Sequence, residues 1–176
     1  MESINVAGPP SGGLETLRAL RWLVDPQKVL PNVSIERSDL ESDNALVEDL
    51  YILAPGVGLI GEIQIGAPGQ GLPDHVESVS LDPEYRDMGY GTAAYLAAIA
   101  RSVDCGRDLR SDPRGTTDVA RRVWQGLGRV LPIDGLDGPC RPDVFFAQVN
   151  YVVRSQAVRE MLAGQAVLHT QARVDI

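Results

Sequence analysis

Arg86, Gly89 and Gly91 stand in the spacing Arg-x-x-Gly-x-Gly, immediately after a run that ends at Leu81 and turns through Asp82-Pro83. Residue types in that order suit the grip of an anionic diphosphate. The first amides of a helix have no partner inside it, and the helix dipole favours negative charge beside them. Glycines there remove Cβ atoms that would hold a phosphate away, and an arginine adds a charge-assisted hydrogen bond. The string lacks the third glycine of a dinucleotide fingerprint and the Gly-Lys-Ser/Thr of a P-loop. A plain helix start with closely packed glycines is the structural alternative.

The longer stretch Val79-Ser80-Leu81-Asp82-Pro83-Glu84-Tyr85-Arg86-Asp87-Met88-Gly89-Tyr90-Gly91-Thr92 resembles the acetyl-CoA signature of the GNAT superfamily of N-acetyltransferases. The resemblance extends weakly over roughly residues 57 to 128. It implies a mixed, mostly antiparallel α/β sheet with two splayed central strands flanked by helices. It also implies that main-chain groups of Val79, Ser80 and Leu81 pair with the pantetheine arm of acetyl-CoA. Arg86 and the amides of Asp87, Met88, Gly89, Tyr90, Gly91 and Thr92 would hold the pyrophosphate.

Acetyl transfer to an amine needs a base for the amine and stabilisation of the departing thiolate. By the same resemblance the base stands on the strand before the signature, where Glu77 and His75 alternate onto the face of Val79 and Leu81. Glu62, one strand earlier, is a third candidate, and each could equally cap or solvate a strand edge. Many members carry a tyrosine acid on the helix after the second splayed strand. Trp124 takes that place here, and an indole N–H donates a hydrogen bond without useful acidity. The acid would then be water or the Ser111 hydroxyl, with Trp124 packed against the cofactor or in the core. Two readings stay open: an acyltransferase acting on a small-molecule or protein amine, or a GNAT-like domain that binds and assembles without turnover. A phosphate-binding α/β domain of another family is a third.

Positioning these residues calls for the elements around them. Leu14, Leu17, Leu20 and Leu23 mark a helix limited by Pro26, and 33–37 alternates as a strand. The runs 45–54 and 57–65 about Pro55-Gly56 read as a hairpin, and 75–81 as the next strand. Tyr90 to Ala100 forms a nearly uncharged helix, followed by a short strand at 108–111. Thr116-Thr117-Asp118 caps a helix with Val119, Val123, Trp124 and Leu127 inside. Residues 132–143 read as a loop, 145–153 as a strand, 155–163 as a helix closed by Gly164, and 168–176 as a half-buried strand. That late helix makes the C-terminal region atypical for the family and a candidate for substrate access or a dimer contact, so a homo-oligomer or larger assembly is a possible state.

Composition narrows the class. The 176 residues suit one domain spanning 1–176, and 44% hydrophobic residues provide for a sizeable core. A formal charge of −8 argues against nucleic acid and anionic membranes as partners. Two cysteines, Cys105 and Cys140, outside any CxxC pair, read as free thiols rather than a scaffold or a metal site. No apolar run reaches the ~18 residues of a membrane span, so a cytoplasmic protein is expected.

Overall fold

A computed structural model of the chain describes residues 13–37, 47–68, 71–137 and 149–174. Helix α1 (Gly13–Val24) leads into β1 (Ser34–Arg37), β2 (Val47–Ala54), β3 (Gly58–Gly66) and β4 (Asp74–Leu81). A 3-10 turn (Pro83–Tyr85) then opens onto α2 (Tyr90–Cys105), β5 (Leu109–Arg110) and α3 (Asp118–Leu127). The chain continues through β6 (Ile133–Asp137), β7 (Val149–Val153) and α4 (Ser155–Val174). The seven strands lie in the order β1-β2-β3-β4-β5-β7-β6. Among the described residues only β4 and β5 run parallel; the other neighbouring pairs are antiparallel. This is the mixed, mostly antiparallel sheet flanked by helices that the sequence resemblance implies.

The core forms where the alternating faces of β2 and β3 meet the apolar side of α2. Leu50, Ile52, Ile63 and Ile65 are buried against Leu96 and Ile99, and Leu20 of α1 joins them. The alanines of α2 (Ala93, Ala94, Ala97, Ala98 and Ala100) leave no long side chains to hold neighbours off, so ten of its residues are buried. The Pro55-Gly56 hairpin forms as expected, with Gly56 at φ +76° and the Val57 N–H donating to the Ala54 carbonyl. Thr117 caps α3, its Oγ1 accepting from the Ala120 N–H at 3.2 Å. Val119 lies outside the core, 62% exposed, in the first turn of α3.

Two expectations for the C-terminal third fail. Residues 133–137, read as loop, are strand β6, paired antiparallel with β7 from Ile133↔Val153 to Asp137↔Val149. Its Pro, Gly and Asp neighbours disguise it, and pairing overrides local propensity. The strand expected at 168–176 is instead helical as far as Val174, since α4 runs through Gly164. Gly164 does not adopt a left-handed cap, and the Ala, Gln, Leu and Arg beyond it are good helix formers. The helix therefore follows the finished sheet rather than interrupting it. The part of the 145–153 strand before Val149, and Cys140, lie outside the described residues, whereas Cys105 is an exposed free thiol at the end of α2.

A buried charge cluster fixes the start of β4. Asp74 is fully buried and ion-paired to Arg101 of α2 and to Arg107 before β5, and Arg101 also reaches Glu48 of β2 at 2.7 Å. Removing one partner from such a cluster strands the others without compensation. Asp74→Asn should lower unfolding stability by about 3–5 kcal/mol in urea denaturation; a loss under about 1 kcal/mol would show that the cluster does not hold β4 in place.

Candidate active site

Strands β4 and β5 pair over two positions only, Asp74↔Leu109 and His75↔Arg110, and then part. Both strands supply a reason. In β4, Val76 faces Ile65 and Ser78 faces Gln64, so Glu77 is an extra residue in a bulge, which bends the strand. Beyond β5, Ser111 turns to β7: its N–H donates to the Tyr151 carbonyl at 2.9 Å, and its Oγ accepts from the Tyr151 N–H at 3.0 Å. Pro113, without an N–H, cannot extend the ladder.

The gap is a cavity of about 520 Å³ between β4, the start of α2, the segment after β5 and α3. Glu77, Val79, Ser80, Leu81, Arg86, Gly91, Ser111 and Trp124 all line it, so most of the residues singled out in the sequence come together. On the β4 edge facing the gap, every second residue turns its N–H and C=O away from β3 with no strand to meet them.

The turn before α2 has the required conformation. Asp87 at φ +60° and Gly89 at φ +88° are both left-handed, the first being costly for a residue with a side chain. The Ala93 N–H donates to the Gly89 carbonyl at 3.0 Å, and no side chain caps the helix start. Among the described residues, no hydrogen bond takes an N–H of residues 87–92. Arg86 Nε donates to the Leu81 carbonyl at 3.2 Å, tying the turn to the end of β4.

The two glycines play different parts. A Cβ on Gly89 would meet Pro31 Cδ at 3.0 Å and Leu30 Cδ2 at 3.1 Å, so this glycine seats the turn against the segment after α1. A Cβ on Gly91 would find nothing nearer than Leu81 Cδ1 at 3.9 Å, on the cavity side. Asp87, Met88, Gly89, Tyr90 and Thr92 shape the turn without lining the cavity. Met88 is 60% exposed, and Tyr90 packs edge-on against Tyr85.

His75 does not share a face with Glu77. The bulge breaks the alternation between them and leaves His75 against Gly66, outside the cavity lining. Glu62 sits opposite Ser80 on β3 and is also outside it. Trp124 is fully buried, stacked on Tyr151 at 6.0 Å and edge-on to Tyr95 at 5.0 Å, so it is both core and cavity wall.

Sequence reasoning missed Tyr95 and Asp112. Tyr95 comes from α2, is 5% exposed, lines the cavity and makes no hydrogen bond among the described residues. Burial first, then the Asp112 carboxylate, pushes its phenol up to about 12. The available signal was one polar-tipped ring in the run from Ala93 to Ala100, which is otherwise Ala, Leu and Ile. Asp112 gave none, because only the fold carries it to the gap.

No protein-family model matches the chain, and no curated protein matches it. Among solved structures, it is similar to the ribosomal-protein-S18-alanine N-acetyltransferase from Escherichia coli, at 14% identity over 64% of this chain and 70% of that one, with a TM-score of 0.45. It is similar also to an acetyltransferase of the GNAT family from Staphylococcus aureus Mu50, at 11% identity over 85% and 97% of the two chains, with a TM-score of 0.46. A tandem GNAT protein from the clavulanic acid biosynthesis pathway matches at 15% identity over 65% of this chain, with a TM-score of 0.41; the match spans 40% of that protein's length.

The phenol of Tyr95 leads to a pH prediction. Its folded pKa lies above the ordinary value of 10, so its contribution to stability is complete below pH 10 and is lost as pH rises towards 12. Tyr95→Phe should therefore remove roughly 3 kcal/mol from the fall in unfolding free energy over that window. Parallel pH profiles for the two proteins would contradict the buried phenol.

Proposed function

We propose that the protein is an N-acetyltransferase that moves an acetyl group from acetyl-CoA to an amine of a small molecule or protein. The observation that carries this reading is the gap between β4 and β5, which runs from an uncapped, arginine-flanked helix start to a carboxylate on a strand bulge. A diphosphate suits the first end, where open amides and Arg86 meet the positive pole of α2. An extended amide-bearing arm suits the unpaired edge of β4 at Val79 to Leu81, which would bind it as a missing strand.

The chain's own groups then do the following work. Glu77, on the bulge, takes one proton from the incoming ammonium and passes it to water. The freed nitrogen bonds to the acetyl carbon as the carbon–sulfur bond breaks, and its second proton ends on the sulfur. Tyr95 near pH 7 is a neutral hydrogen-bond donor. With a pKa near 12 it keeps its proton against a thiolate, since an ordinary thiol at ~8.5 is the stronger acid. Tyr95 therefore steadies developing negative charge without surrendering its proton. Ser111 Oγ already accepts from Tyr151 and has its own proton left to donate. Trp124 supplies a rigid wall.

Acetyl-CoA at about 100 times its dissociation constant should stabilise the protein by roughly 2.7 kcal/mol, a rise of some 5–11 °C in melting temperature at this chain length. Gly91→Glu places a carboxylate at the anion end with room for its Cβ, and should abolish that rise. Glu77→Gln should keep the rise and cut amine-dependent thiol release by about 10²–10⁴-fold. No stabilisation by acetyl-CoA sinks the proposal; stabilisation without thiol release from any amine would leave a binding module.

A further inference from the structure

Charge is divided along the cavity. Arg86 stands at the end next to α2, whereas the two carboxylates of the lining, Glu77 and Asp112, stand at the other, on opposite sides of the parted strands. Arg114, outside the cavity lining, bridges the two carboxylates. Its guanidinium grips Asp112 at two points, Nε to Oδ1 at 3.0 Å and Nη2 to Oδ2 at 2.9 Å, and comes within 3.6 Å of Glu77 Oε1. Its side chain is 68% exposed, so these are weak, solvent-screened pairs that another cation can replace. Two carboxylates against one guanidinium also leave the mouth with a net negative charge.

A second, independent feature marks the same space as a site. Tyr95 is 95% buried, yet its hydroxyl has no hydrogen-bond partner among the described residues, and it forms part of the cavity wall. Its oxygen is open to the cavity rather than sealed in the core, so the phenol can meet a polar guest there. A phenol oxygen can accept from an ammonium as well as donate to a carbonyl.

We propose that the acetyl acceptor is a compact dication: its reacting amine lies against Glu77 beside Tyr95, and a second ammonium or guanidinium takes the place of Arg114 on Asp112. The proposal rests on the acetyl-transfer reading for which amine reacts, and on the mouth geometry for the second charge. Arg114 then acts as a stand-in that closes the carboxylate pair until the acceptor arrives. Amino acids with a free carboxylate are disfavoured by the negative mouth, and monoamines gain only half of the pairing.

The test is calorimetric titration of the whole protein, with and without acetyl-CoA, using putrescine, butylamine and γ-aminobutyrate at one ionic strength. Putrescine should bind at least about tenfold more tightly than butylamine, and γ-aminobutyrate most weakly. Asp112→Asn keeps the Oδ1 that accepts the Arg114 N–H at 2.8 Å, so the turn survives while the charge goes. In that variant the advantage of putrescine should vanish and butylamine binding should stay within about twofold. Equal affinities for the two amines, or an advantage that persists in Asp112→Asn, would overturn the proposal. Titrations without acetyl-CoA decide the acceptor site alone, whereas failure of the acetyl-transfer reading appears separately as absent stabilisation by acetyl-CoA.

Discussion

Everything at the candidate site depends on how briefly β4 and β5 are joined. Two residue pairs link them, and the Asp74 N–H adds a bond to the Asp108 carbonyl at 2.9 Å. The junction is held by the buried carboxylate of Asp74, which two arginines neutralise from α2 and from the turn before β5. Past that point the strands have reasons to separate: a bulge at Glu77, a turn of Ser111 towards β7, and a proline at 113. A sheet that opens in its middle without losing its hydrophobic core is unusual, because unpaired edges are costly when buried. Here the edges face a cavity, where a guest can satisfy them.

The gap has chemical direction as well as room. At one end the positive pole of α2, its unbonded amides and Arg86 favour an anion. At the other Glu77 and Asp112 favour a cation. Between them stand a neutral phenol, a serine hydroxyl and an indole wall. Under the proposed acetyl transfer, an anionic donor and a cationic acceptor would be drawn to opposite ends of one cavity. On that proposal the barrier would fall through positioning rather than through an unusual catalytic group.

Legibility in the sequence followed the locality of the physics. The turn from Leu81 to Thr92 was readable because left-handed backbone, an open helix start and a strand end each demand particular residues within a short span. The 47–66 hairpin and the alanine-rich α2 were readable for the same reason. His75 was misplaced because a bulge, which depends on the partner strand, breaks strict alternation. Strand β6 hid behind turn residues, and the end of α4 imitated a strand because its polar and apolar residues happen to alternate. Tyr95, Asp112 and Arg114 acquire meaning only once α2 and the segment after β5 are brought to one cavity.

The central claim is that the parted strands and the start of α2 together receive the donor. It is tested most directly by amide NMR during a coenzyme A titration. The account predicts that the largest shift changes fall on the amides of residues 79–81 and 87–92, with α1 and β1 almost unmoved. Shift changes that spare both segments, or that centre on another face of the sheet, would contradict it.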